Sequence, residues 1–67
     1  MDIFEALEKA IENEKAAHAY YRKCAEEAED PQTRAIFETL AEDELRHQKV
    51  LKERLLAVKL RKQKSGL

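Results

Sequence analysis

Glu14, Glu44 and His47 are the side chains of this sequence best suited to chemistry. Glu14 falls in the middle of an apolar series in the first half of the chain. Glu44 and His47, spaced Glu-x-x-His, fall in the middle of a second series. Carboxylates and an imidazole on apolar faces are costly to bury unless an opposite charge accompanies them. A bound metal ion supplies that charge, and oxygen and nitrogen donors of these kinds suit first-row divalent ions. A Glu-x-x-His pair alone is common on helices and says little, so the argument needs all three residues to converge. A His-Glu-x-x-His zinc site is excluded, because position 43 holds Asp43.

Convergence depends on the elements that carry these residues. One Gly, Gly66, and one Pro, Pro31, leave little to interrupt a helix. The chain therefore reads as two long helices and one turn. Asp2 is placed to cap the first helix, with Glu5 at capping-box spacing, and that helix is expected to run to about Ala28 or Glu29. Asp30 is placed to cap the second, and Pro31 suits its first position, where a missing N–H costs nothing. The second helix is expected to reach about Leu60. Ile3, Leu7, Ala10, Glu14, Ala17, Tyr21, Ala25 and Ala28 share one face. Phe37, Leu40, Glu44, His47, Leu51, Leu55 and Val58 share another, in the steps of three and four of a core-facing helix.

A short turn makes two such helices antiparallel neighbours. If Ala28 lies opposite Thr33, Glu14 comes level with His47, and Glu44 with Ala17 and His18. The three polar residues then occupy one layer between apolar ones: Ala10 with Leu51 and Leu7 with Leu55 on one side, Tyr21 with Leu40 and Ala25 with Phe37 on the other. The acidic start of the first helix also lies beside the basic end of the second, which suits both helix dipoles.

A chain of 67 residues is one small domain, of a size that buries only about 60% of its unfolded surface. Disulfides, metals or partners stabilise such domains. One cysteine, Cys24, makes no internal disulfide, which leaves metal and partners and suits a reducing compartment. The net charge is −1, so a dedicated nucleic-acid binder is not expected. Its distribution is uneven: 13 acids and 5 bases in residues 1–45, but 1 acid and 8 bases in residues 46–67. No apolar run is long enough to span a membrane, and the acidic N-terminus lacks the basic start and apolar core of a signal peptide. The cytoplasm, or a compartment loaded from it, is the expected location. Residues 1–60 form the expected helical hairpin; residues 61–67 are expected to be a flexible basic tail.

One hairpin leaves its stripes uncovered. Two hairpins related by a two-fold axis cover them as a four-helix bundle, an all-α fold in which the polar layer doubles to four Glu and two His. Four carboxylates carry −4 and two divalent ions +4, so two ions per dimer make the layer neutral. Bridging carboxylates hold such ions close together with positions open for dioxygen or peroxide. The donors suit iron or manganese; zinc fits the site without redox chemistry.

The segments Glu12–Ala28 and Arg34–Leu51 resemble the ferritin-like superfamily, nearest its rubrerythrin branch. That branch shows Glu-x6-Tyr in its first helix, here Glu14 and Tyr21. Its second helix carries Ala-Ile-Phe followed by Ala-Glu-x-Glu-x-x-His, here Ala35-Ile36-Phe37 and Ala41 through His47. A rubrerythrin subunit carries four bundle helices and a cysteine-rich electron-relay module; this chain has one hairpin and no such module. Its half length is similar to the encapsulated ferritin-like proteins, two-helix chains whose ferroxidase centre forms between subunits. The resemblance implies a di-iron ferroxidase for iron storage or detoxification, acting as a homodimer or higher homo-oligomer, and enclosure by a shell protein in an encapsulin-type compartment. It implies Glu14 as a terminal or chelating ligand, Glu44 as a bridge, His47 as a nitrogen ligand on each iron, and Tyr21 beyond the ligands with its hydroxyl steering a carboxylate.

Two other readings stay open: a rubrerythrin-like peroxidase with an external electron donor, and a non-catalytic helical dimerisation module whose polar layer sets register. His18, one turn after Glu14, reads as a flank residue or an outer ligand. Cys24 reads as a small buried hydrophobe. Tyr20, Leu45 and Leu56 lie outside the stripes and mark a second surface for oligomers. The basic run Lys59–Lys64 reads as a complement to the helix end.

Overall fold

The computed structural model is an antiparallel hairpin of two helices, α1 (Ile3–Glu27) and α2 (Pro31–Ser65). It describes residues 1–65, with side chains for residues 1–62. The caps fall where the sequence puts them. The Asp2 carboxylate accepts from the N–H of Phe4 at 2.9 Å and, more loosely, of Glu5 at 3.5 Å. The Asp30 carboxylate accepts from the N–H of Thr33 at 3.0 Å and from its hydroxyl at 2.7 Å. These side chains satisfy donors that a helix start leaves without intrahelical partners.

α1 ends without a glycine. Ala28 takes an extended conformation while its N–H still reaches the Cys24 carbonyl. The Ala28 carbonyl is then met by the Arg34 guanidinium at 2.8 Å. The turn therefore costs no left-handed residue, and among the described residues no non-glycine residue has a positive φ. At the other end α2 runs on to Ser65 rather than stopping near Leu60. Lys, Arg and Gln propagate a helix well, and Lys62 lies over the Phe4 ring, 4.7 Å from its centroid. Part of the expected tail is thus helical; Gly66 and Leu67 lie outside the described residues.

The hairpin is a rod of 57 × 17 × 13 Å with a radius of gyration of 16.0 Å, against about 11 Å for a compact domain of this length. Its buried side chains are few: Ile11, Ala25 and Ala41, with one polar residue, Gln48. Among the described residues no large side chain is fully buried. The expected stripe residues Leu7, Ala10, Ala17, Tyr21, Leu40, Leu51, Leu55 and Val58 are only half-buried, and Ile3 is exposed. Of the sequence-derived stripe Ala25 is buried; Ile11, Ala41 and Gln48 lie one row to its side, and most of the rest of the stripe forms a half-open face beside them.

Candidate metal centre

α1 and α2 bring Glu14, Glu44 and His47 together at mid-height. His47 Nδ1 lies 3.3 Å from Glu14 Oε2 and 3.4 Å from Glu44 Oε2. One donor atom from each residue falls within 4.8 Å of the other two. The level pairing of Glu14 with His47 follows from the three-residue turn and the antiparallel register. Glu44 joins them because the step from 44 to 47 on one helix puts both on nearly the same side.

Their exposure is graded. The Glu44 side chain is 15% exposed, Glu14 28% and His47 56%. Glu44 Oε2 is the one buried side-chain oxygen or nitrogen among the described residues that has no hydrogen-bond partner. It lies within ion-pair reach of His47, but the contact lacks hydrogen-bond geometry, so that reach does not satisfy it. An unmatched buried carboxylate oxygen is costly, and a cation beside it would remove the cost. The donor chemistry fits as well: two carboxylates and an imidazole, separated by about the distance that two ligands on one first-row ion span. The residues present therefore suit a metal such as iron, manganese or zinc.

Tyr21 lies about two turns after Glu14 on the same face of α1. Its ring stacks on Phe37, with centroids 6.3 Å apart and an interplanar angle of 27°. The sequence pairs Tyr21 with Leu40; the observed neighbour lies one turn nearer the loop. Tyr20 is exposed, as its place outside the stripe requires, and packs its ring edgewise on Tyr21. A hydrogen bond with the half-buried Cys24 pushes the Tyr20 hydroxyl to a higher pKa. Asp43, next to the cluster, is engaged by Arg46 rather than directed at the site.

Two residues play larger parts than the sequence reading gives them. His18 is not a flank residue: its Nδ1 lies 2.9 Å from the Ala41 carbonyl, across the seam. Gln48 is buried, 7% exposed, one residue after His47. The series 41, 44, 48, 51, 55 also runs in steps of three and four, a signal that names Ala41 and Gln48 as candidates without ranking them above the other row.

A family model for rubrerythrin matches residues 5–66. The chain belongs to the rubrerythrin family. Rubrerythrin-family proteins are ferritin-like, typically bind iron and are generally associated with oxidoreductase chemistry. The match takes in both helices and all three clustered donors. Comparison with curated proteins and with solved structures finds no match. No helix is long and apolar enough to cross a membrane among the described residues.

Proposed function

We propose that this rubrerythrin-family chain is a di-iron carboxylate ferroxidase whose centre is completed by a second copy of the chain. The observation that carries the reading is the Glu14–Glu44–His47 cluster with its unmatched Glu44 oxygen. Iron bound there would supply one-electron redox chemistry with dioxygen or peroxide as acceptor. The chain's own groups do the rest. Glu14 and Glu44 hold positive charge in a partly dry layer, and the His47 imidazole supplies a neutral nitrogen donor. Tyr21 flanks the layer, its hydroxyl positioning a carboxylate. Fe(II) is the substrate, and each ion oxidised gives up one electron.

The half-open face supports the second copy. His47 is more than half exposed in the single chain, where the imidazole competes with water for a metal. A two-fold partner would cover it and bring the set to four Glu and two His, for two irons per dimer. Manganese or zinc would fit the same donors. Enclosure by a shell protein, in the cytoplasm, is part of the same proposal.

The test is aerobic Fe(II) oxidation by the purified chain, followed by Fe(III) absorbance and compared with buffer. A rate above buffer that His47→Ala removes supports the ferroxidase. A rate with peroxide and an external donor, but not with dioxygen, favours the peroxidase instead. A chain that holds no metal after reconstitution is a helical dimerisation module.

A further inference from the structure

His18 lies one turn from Glu14 on α1, and Ala41 lies one turn before Glu44 on α2. Their hydrogen bond, His18 Nδ1 to the Ala41 carbonyl at 2.9 Å, spans the seam in a partly buried setting. A carbonyl only accepts, so Nδ1 carries the hydrogen. The contacts around this bond are among the smallest in the molecule: Ala25 and Ala41 are both buried, Ala41 at 2% exposure. Small apolar side chains let two helices approach closely and fix which faces meet. The three-residue turn sets the register at the loop end, but these small contacts do little to hold it at mid-height, because one alanine contact resembles the next. A directional bond to a single carbonyl does hold it.

Sliding is what the metal cluster cannot tolerate. One helical turn is about 5.4 Å, more than the 3.3 Å that separates His47 Nδ1 from Glu14 Oε2. Binding constellations need their groups held to within about half an ångström. We infer that His18 is a positioning residue of the metal centre: by donating to Ala41 it locks the longitudinal register of α1 against α2, so that Glu14 stays level with Glu44 and His47. The inference rests on the metal reading of that cluster. His18 itself lies outside the cluster. It borders a separate open groove of about 410 Å³, shared with Arg22, Arg34, Glu38 and Glu42, so a smaller or differently shaped side chain at position 18 leaves no sealed void.

The experiment compares Co(II) binding by the full chain and three variants, reading both affinity and the visible spectrum at saturation. His18→Asn places an amide N–H near the position of Nδ1 and should bind like wild type. His18→Leu removes the donor and should weaken Co(II) on the order of tenfold and alter the saturated spectrum, with helix content kept. His18→Gln carries its donor further out and should behave like the Leu variant; it carries the comparison if Leu prevents folding. Equal affinity and spectrum for wild type and the folded Leu and Gln variants would overturn the inference. So would an Asn variant as impaired as Leu with its helices intact. A wild-type chain that binds no Co(II) would overturn the metal reading itself, and this inference with it.

Discussion

His18 and Glu44 are polar side chains about one turn apart along the same seam, and their surroundings differ. His18 finds its partner within the chain, the Ala41 carbonyl at 2.9 Å. Glu44 is less exposed than its cluster neighbours, yet one of its oxygens is buried and unmatched. The first residue closes the hairpin; the second leaves a buried oxygen to which the hairpin offers no hydrogen-bond donor. The chain thus completes its secondary structure and register by itself but leaves one carboxylate oxygen of its polar layer unmatched, a cost that a cation would remove. In an isolated rod with almost no buried core, that cation and a covering partner are the natural sources of further stability.

The sharpest way to break this contrast is to remove the unmatched group. Glu44→Ala should abolish the metal response while keeping helix content, since Ala favours helix. Wild type should gain on the order of ten degrees in Tm at a metal concentration of about a hundred times Kd; the variant should gain nothing. Thermal melts with and without Zn(II), beside elemental analysis, decide it. A variant that responds to metal like wild type would place the metal elsewhere.

His47→Ala should lose at least about nine-tenths of the Fe(II) oxidation rate, because the one other imidazole nearby, His18, is engaged with the Ala41 carbonyl. Stopped-flow absorbance measures it. Unchanged turnover would separate the chemistry from the cluster. Sedimentation should then show a metal-loaded dimer or a multiple of it at micromolar chain, shifting toward smaller species when a chelator is added. A folded monomer with iron bound would end the shared-centre reading.

Tyr21→Phe tests a finer point. The ring contact with Phe37 survives this change, so Tm should hold within about one degree. If the hydroxyl steers a carboxylate, the oxidation rate should fall severalfold. The smallest effect belongs to the turn. The Thr33 hydroxyl, and then the Thr33 and Gln32 N–H groups, hold Asp30 below the usual carboxylate pKa. A folded-state pKa below the unfolded one means that the cap's contribution is complete above the unfolded value and is lost as pH falls through the folded one. Asp30→Ala should lower Tm by a few degrees at neutral pH and by less in acid, where the wild-type cap is already protonated.

Most of the site was legible in the sequence because helical spacing and a short turn leave few choices. Pro31 and Asp30 fix where α2 begins, and the level of Glu14 against His47 follows from that start. Which row faces inward was less legible. Residues seven apart drift around a straight helix by about 20°, and steps of three and four describe two adjacent rows equally well. Ile11 is more buried than its stripe neighbour Ala10, and Gln48 more than Leu51, while Ala25 is buried as its place in the stripe requires. No periodicity marks which of those rows a neighbouring helix selects. His18 was hidden for a different reason: its partner is a backbone carbonyl, which no residue type announces. The extension of α2 to Ser65 was hidden by composition, since a run of bases with no core face reads as a tail until Lys62 finds the Phe4 ring.

The turn of three residues between α1 and α2 has a kinetic consequence. Contacts between helices joined so closely are reached by short loop closures, so a hairpin of this kind assembles in about microseconds. Two chains at micromolar concentration meet productively only over roughly tenths of seconds to seconds. Under the proposed pairing, the appearance of active centres is therefore limited by encounter, and its initial rate grows with the square of the chain concentration. Halving the supply of chain would cut the early rate of centre formation to a quarter, so a cell producing little of this protein would fall further behind an iron load than its expression level suggests.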